Sequence, residues 1–330
     1  MRLTRGNRNV LRRTPAALLE ALEGRQMLAV NTVFQDGDGD FWSVQVTGAN
    51  AQAVIVAGSE GLRSLVITGT TATSDVTISE AFPPRGAPAR LGDDGELFIN
   101  FLNIQGDVDE VRLLDNVNLR RENAQVGFAG LDIDGRARVI EIRGDVIASD
   151  INIDSTAANN RTTINLNVAG GFFNNNRGGF ADPVAVTSGG YVETFTCEAF
   201  DAATLQAKRF GLIDVAAGGI FRGNGFPLAF DITTTDGTAQ YGVKTILVDG
   251  SLVGGTWDIA APVQKVLINE VPNDPFDLAR GFGPISTFEM TVNGRVDELR
   301  STLGDLSGHY RASSFGIVRA AQDLRGIVFG

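Results

Sequence analysis

The stretch Ile140-Glu-Ile-Arg-Gly144-Asp-Val-Ile-Ala-Ser-Asp-Ile-Asn-Ile153 decides the fold. Ile140, Ile142 and Val146 share one parity, so in extended chain their side chains point to one face. Ile151 and Ile153 have the opposite parity. A bend or bulge must therefore fall between Val146 and Ile151 if all five are to meet one core. The small residues Ala148-Ser149-Asp150 can supply it. Gly144 sits mid-unit, where a missing Cβ lets the backbone turn or lets a neighbouring segment approach.

The same unit returns without gaps from Leu65 through Gly69 to Ile78, and from Ile246 through Gly250 to Ile259. Each copy is an apolar pair two residues apart, a Gly two later, then a second apolar pair. Weaker copies of the first half run Leu102–Val108, Leu166–Phe172 and Met290–Val296, and fainter ones centre on Gly218 and Gln322. Gly106-Asp-Val-Asp-Glu-Val-Arg112 and Gly294-Arg-Val-Asp-Glu-Leu-Arg300 are nearly identical. Centres lie 26 to 48 residues apart, so the repeat is irregular, with insertions of variable length. Long variable connections between strands in constant order suit an all-β, irregular right-handed parallel β-solenoid. About eight coils at roughly 4.8 Å each would make a rod of about 35–40 Å. The alternative is a Greek-key β-sandwich, also built of short strands and Gly turns. The solenoid predicts that Leu65, Ile67, Ile140, Ile142, Ile246 and Val248 are buried and stacked on neighbouring or near-neighbouring rungs.

Composition agrees. The 330 residues are 43% hydrophobic and 20% charged, which excludes disorder and allows a sizeable core. Gly is abundant at 40 residues without a strict Gly-x-y period, so it marks turns and not collagen. One Cys and one His exclude an internal disulfide framework, Cys-based zinc sites and most His-dependent metal chemistry. Residues 1–30 carry six Arg against two Glu, a balance of +4, which leaves −15 on the rest of a chain whose net charge is −11. Such an acidic body repels phosphate backbones, so a nucleic-acid partner is not expected.

That charge break divides the chain into a basic targeting or sorting segment, 1–30, and a β-repeat domain, 31–330, in which 31–81 forms a lead-in hairpin and the first rung. Glu20 and Glu23 interrupt the apolar run that an ordinary signal peptide would need. The string Leu19-Glu-Ala-Leu-Glu-Gly-Arg25-Gln-Met-Leu-Ala29 instead resembles the L-E-x-L-E-x-R sorting segment of large secreted planctomycete proteins, with Ala21 where that family normally has Pro. Asp36-Gly-Asp38-Gly-Asp40, followed by the alternating strand Phe41–Thr47 and Gly48, resembles the D-x-D-G-D repeats of the same proteins. The resemblance implies export to the outside or the cell surface and a β-repeat fold. It implies little about activity. The clearest loops are 82–92 and 172–183.

Candidate chemistry is sparse. Asp36, Asp38 and Asp40 open like an EF-hand, but Phe41 and Thr47 stand where Gly and Glu are required, so a solvated Asp-Gly turn is the better reading. Asp305, Ser307 and His309 alternate along a strand with Ser in the middle, the wrong order for an orienter–base–nucleophile relay. Cys197 reads as a buried structural thiol. Arg222–Leu228 offers G-x-G with Pro227 at what would be the helix start, which is wrong for a nucleotide loop. The carboxylates Asp107, Asp109, Glu110, Asp297 and Glu298 recur at matching repeat positions, as a structural ladder would. An active site needs only one copy. No catalytic, cofactor-binding or metal residue is assigned, and no cofactor is expected. The expected function is a secreted, non-enzymatic cell-envelope or extracellular module whose partners are cell-surface glycans or envelope proteins, with no integral membrane span. A polysaccharide lyase or hydrolase on a β-helix is the alternative; it would need exposed aromatics, whereas most of the 20 Phe lie in apolar runs and read as core.

Overall fold

The structure, a computed structural model, describes residues 28–37, 39–58, 61–83, 95–121, 129–154, 162–173, 184–216, 228–271 and 288–324. Among these residues every regular element is a strand, and 23 strands join in one continuous sheet. No helix among them is long and apolar enough to cross a membrane.

The sheet winds into a parallel β-solenoid with three faces. On the first face, residues pair in register along Leu65–Leu102–Leu131–Ile151–Val186–Leu205–Ile232–Trp257–Met290–Tyr310, which counts ten coils. The second face carries Val76–Val111–Ile140–Leu166–Phe195–Ile213–Ile246–Val266–Leu299–Val318. The third is shorter and includes Ile99–Leu119–Val146–Phe172–Phe200 and the bridges Val271–Leu306–Leu324. Ten coils at about 4.8 Å make a rod of about 43 Å. A Greek-key sandwich would pair its strands antiparallel, so that alternative is set aside.

The count exceeds the eight coils read from the repeat, for a physical reason. The apolar-x-apolar-x-Gly signature marks a corner, and a coil has more than one. Gly69, Gly106 and Gly294 turn the chain from the first face to the second, whereas Gly144, Gly170 and Gly250 turn it from the second to the third. The fifth coil turns at Cys197-Glu198-Ala199 and the eighth at Ile268-Asn269-Glu270, both without Gly, and so both escaped the pattern. All six expected core residues are buried. Their stacking needs correction: Leu65 and Ile67 stand on the first face, whereas Ile140 and Ile246 share the second, with Leu166, Phe195 and Ile213 between them.

Within the deciding stretch the parity break is real. Ala148, a non-Gly residue, adopts φ 48° at the corner between Val146 and Ile151. Gly144 permits close approach: a Cβ there would lie 2.3 Å from the Val117 carbonyl oxygen of the coil before. The hairpin expected at the start is also present. β1 (Leu28–Gln35) pairs antiparallel with β2 (Phe41–Thr47), and β2 in turn with β5 (Asp75–Glu80). β3 (Gln52–Ala57) lies antiparallel on β4 (Gly61–Thr68), so antiparallel strands close the first coil. Strand β1 starts at Leu28, so Leu28–Val30 belong to this cap and not to the basic segment; residues 1–27 lie outside the described residues. Most of both expected loops lies outside them as well.

The interior is aliphatic in the early coils and aromatic in the later ones. Phe172, Phe195, Phe200, Phe230, Trp257, Phe288 and Tyr310 form a chain of ring contacts with centroids 4.8–5.8 Å apart. Trp257 Nε1 donates to the Phe230 carbonyl and the Tyr310 hydroxyl to that of Ser307, so neither polar handle is left unpaired in the core.

Candidate functional site

The recurring carboxylates are engaged by arginine, some across coils and some within a single strand. Asp109 and Glu110 both accept from Arg138 of the next coil, at 2.6 and 2.7 Å. Arg112 reaches Glu110 at 2.5 Å, and Arg143 reaches Glu141 at 3.1 Å. Near the other end Arg295 pairs with Asp297 and Arg300 with Glu298. Hydrogen bonding from Arg138 holds the Asp109 carboxyl below the usual carboxylate range, the opposite of what a general acid needs. Corner Asx side chains work differently: they accept backbone N–H groups of the following coil. Asp107 takes Arg136, Asn118 takes Asp145, Asp145 takes Gly171, Asp150 takes Ala185 and Asp231 takes Thr256, all at 2.6–3.0 Å.

Asp36 is likewise engaged. It accepts from Gly39 and Asp40 N–H and from Trp42 Nε1, while the buried Asp40 accepts from Gly95. Asp38 lies outside the described residues. Among the described residues no group of three or more His, Cys, Asp or Glu is placed to hold a metal ion. The Asp305, Ser307 and His309 side chains diverge. Asp305 accepts from Asp323 N–H, buried Ser307 donates to the Val271 carbonyl, and exposed His309 faces Glu289 at 3.5 Å. Cys197 stacks between Val168 and Val215, and burial pushes its thiol well up, with Asp214 adding to the shift. The G-x-G segment 222–228 lies almost wholly outside the described residues.

One cleft on the outer surface has the character of a binding site, and sequence reasoning missed it. It spans coils five to seven, with a volume of about 140 Å³. In coil six the corner between the first and second faces is Lys208 alone, between β16 (Tyr191–Ala207) and β17 (Arg209–Val215). In coil seven the same corner is the loop 235–242, between β18 (Leu228–Thr234) and β19 (Val243–Gly254). The longer loop leans back across coil six. Asp236 N–H donates to the Lys208 carbonyl, and the Tyr191 hydroxyl of coil five donates to Asp236 Oδ2 at 3.1 Å.

The walls of the cleft are Tyr191, Glu193 and Arg209 on one side and Gln240, Tyr241 and Lys244 on the other. The Arg209 guanidinium lies over the Tyr191 ring, 4.0 Å from its centroid. Between Glu193 and Lys244 the lining residue is Gly211. A Cβ there would sit 2.4 Å from the Glu193 carbonyl and 2.9 Å from its Oε2, so glycine alone leaves the notch open. Burial and the Asp236 hydrogen bond raise the Tyr191 phenol, whereas bonds from Thr238 hold Asp236 below the usual range. Asp236 is thus an ionised brace. The sequence signal was faint: two of three Tyr stand beside corner glycines, and two of three Lys fall at these same corners. Compared with known proteins, the chain matches no family model, no curated protein and no solved structure.

Proposed function

We propose that this chain is an exported, non-enzymatic module of the cell envelope or extracellular space, a rigid rod that presents side chains to glycans or envelope proteins. The observation that carries the reading is the engagement of the recurring carboxylates by arginine and by backbone N–H groups of the next coil. Asp107, Asp109 and Glu110 held that way knit coils, Asp297 and Glu298 are paired within their own strand, and all five are engaged structurally instead of facing a ligand. The basic segment ahead of Leu28, with its resemblance to the planctomycete sorting signal, and the acidic body that follows support export.

Two experiments test this. Incubation of the full chain with a panel of plant and bacterial polysaccharides should release no new reducing or unsaturated ends; sustained product release would establish the lyase or hydrolase alternative. In a planctomycete host, the tagged full chain should reach the envelope or medium, and a chain beginning at Leu28 should stay inside the cell with an unchanged thermal midpoint. Equal export of both would remove the sorting role of the segment.

A further inference from the structure

We propose that the cleft under the 235–242 loop binds one neutral sugar ring, as a unit of a glycan. This names a ligand class for the interaction module above and rests on that reading. Size comes first. A volume of about 140 Å³ is close to the roughly 150 Å³ of an apolar cavity that accepts one benzene ring, so the cleft has room for one six-membered ring.

The lining chemistry then selects the ring. Each sugar hydroxyl both donates and accepts, and the cleft offers donors in Arg209 and Lys244, an acceptor in Glu193, and both functions in Gln240. Tyr241 supplies an aromatic ring against which the C–H groups of a sugar can lie. Among the described residues Lys244 makes no ion pair, so its three donors are available to a ligand. Charge disfavours the ionic alternatives. Arg209 and Lys244 share the wall with Glu193, and Asp236 lies close enough to Arg209 to feel its charge, so the cleft does not gather unopposed cations as a phosphate or uronate site would. The body around it, at net −15 over residues 31–330, repels anionic polymers further. The walls are also set in advance. Tyr191 is fixed by Arg209 above its ring and Asp236 at its hydroxyl, and Gly211 leaves the notch empty, which lowers the ordering cost of binding.

The test titrates the full chain with neutral gluco-, manno- and galacto-oligosaccharides and with oligouronates, read by saturation-transfer NMR and calorimetry. The expected result is binding of at least one neutral series in the millimolar range, insensitive to added salt and at least tenfold weaker in Tyr241→Ala and in Gln240→Ala. Both residues are on the surface of the loop, and matched thermal midpoints will show that the variants are folded. The proposal is overturned if no neutral series binds, if oligouronates bind more tightly, or if Tyr241→Ala and Gln240→Ala bind as well as the parent. Binding accompanied by bond cleavage would uphold the sugar site and sink the non-enzymatic reading, so the two failures are distinct.

Discussion

Ile142 is fully buried on the second face, paired with Leu113 of the coil before and Val168 of the coil after. Both neighbours are fixed by their own hydrogen-bond ladders, so neither can collapse into a space left by truncation. Ile142→Ala should therefore cost about 2–5 kcal/mol, seen as a lower denaturant midpoint with an unchanged slope. Asp145 makes a finer test. It sits at a corner where burial raises its carboxyl above the ordinary range, against the opposing hydrogen bond from Gly171. The folded state then holds this proton to higher pH than the unfolded state does. Stability falls as pH climbs from the ordinary carboxylate range through the raised value, and the penalty is complete above it. Asp145→Asn keeps an oxygen for Gly171 and removes the charge. It should raise the thermal midpoint at about pH 7, and the gain should vanish in acid, where Asp145 is already protonated. A gain that persists unchanged in acid would mean that the charge is not the cause. Gly144 was legible at this scale, because a glycine between two apolar pairs has few other uses. The duty of Asp145 was not, since a hydrogen bond to the next coil depends on which residue arrives there.

Strands on the second face carry the ion-pair ladder, and its contribution follows from exposure. Arg138 binds Asp109 and Glu110 together, but its side chain stays about one-third exposed. Pairs of this kind in water are weak and screened by salt. Arg138→Leu should lower the thermal midpoint modestly in dilute buffer, and the difference should shrink toward zero in about 1 M salt, where the screening length is about 3 Å. A salt-independent loss would point to packing by the arginine stem instead. The repeated Asp-Glu strands after Gly106 and Gly294 announced such a ladder in the sequence, and Arg295–Asp297, Arg300–Glu298 and Arg112–Glu110 pair two residues apart on one strand, but the reach of Arg138 to Asp109 and Glu110 of another coil was not legible. Phase was lost at the same scale. Each corner looks alike to the chain, because alternating apolar residues and a small one suffice to turn from any face to the next. One-dimensional alignment therefore superposed Leu65 of the first face on Ile140 of the second.

A solenoid couples each coil only to its neighbours, so protection should vary along the rod. Strands of the central coils are paired on both sides, whereas among the described residues β1 pairs only with β2, β3 only with β4, and β23 (His309–Arg319) only with β22 (Glu289–Ser301). In hydrogen exchange, amides around Leu166, Phe195, Ile213 and Ile246 should be the slowest, and those of 28–35, 52–57 and 309–319 the fastest of the strands. Uniform protection would instead indicate one cooperative unit. At this scale the division between sequence and tertiary structure is clear. Alternation, glycine placement and the break in parity between Val146 and Ile151 determined an all-β chain that bends around one core, because those are consequences of side-chain direction along a single strand. Parallel pairing, favoured by the repeat over a Greek-key sandwich, was decided by the tertiary register. Ten coils instead of eight, the faces on which each pair stands, and the cross-coil partners of Asp107, Asp109 and Glu110 were decided only by the tertiary structure. The same holds for the cleft, where Tyr191, Gly211 and Tyr241 come from three coils. Insertions of variable length separate such residues in sequence, while the solenoid stacks them a few ångströms apart. Only the closed register, set by how all the coils pair together, brings them to one place.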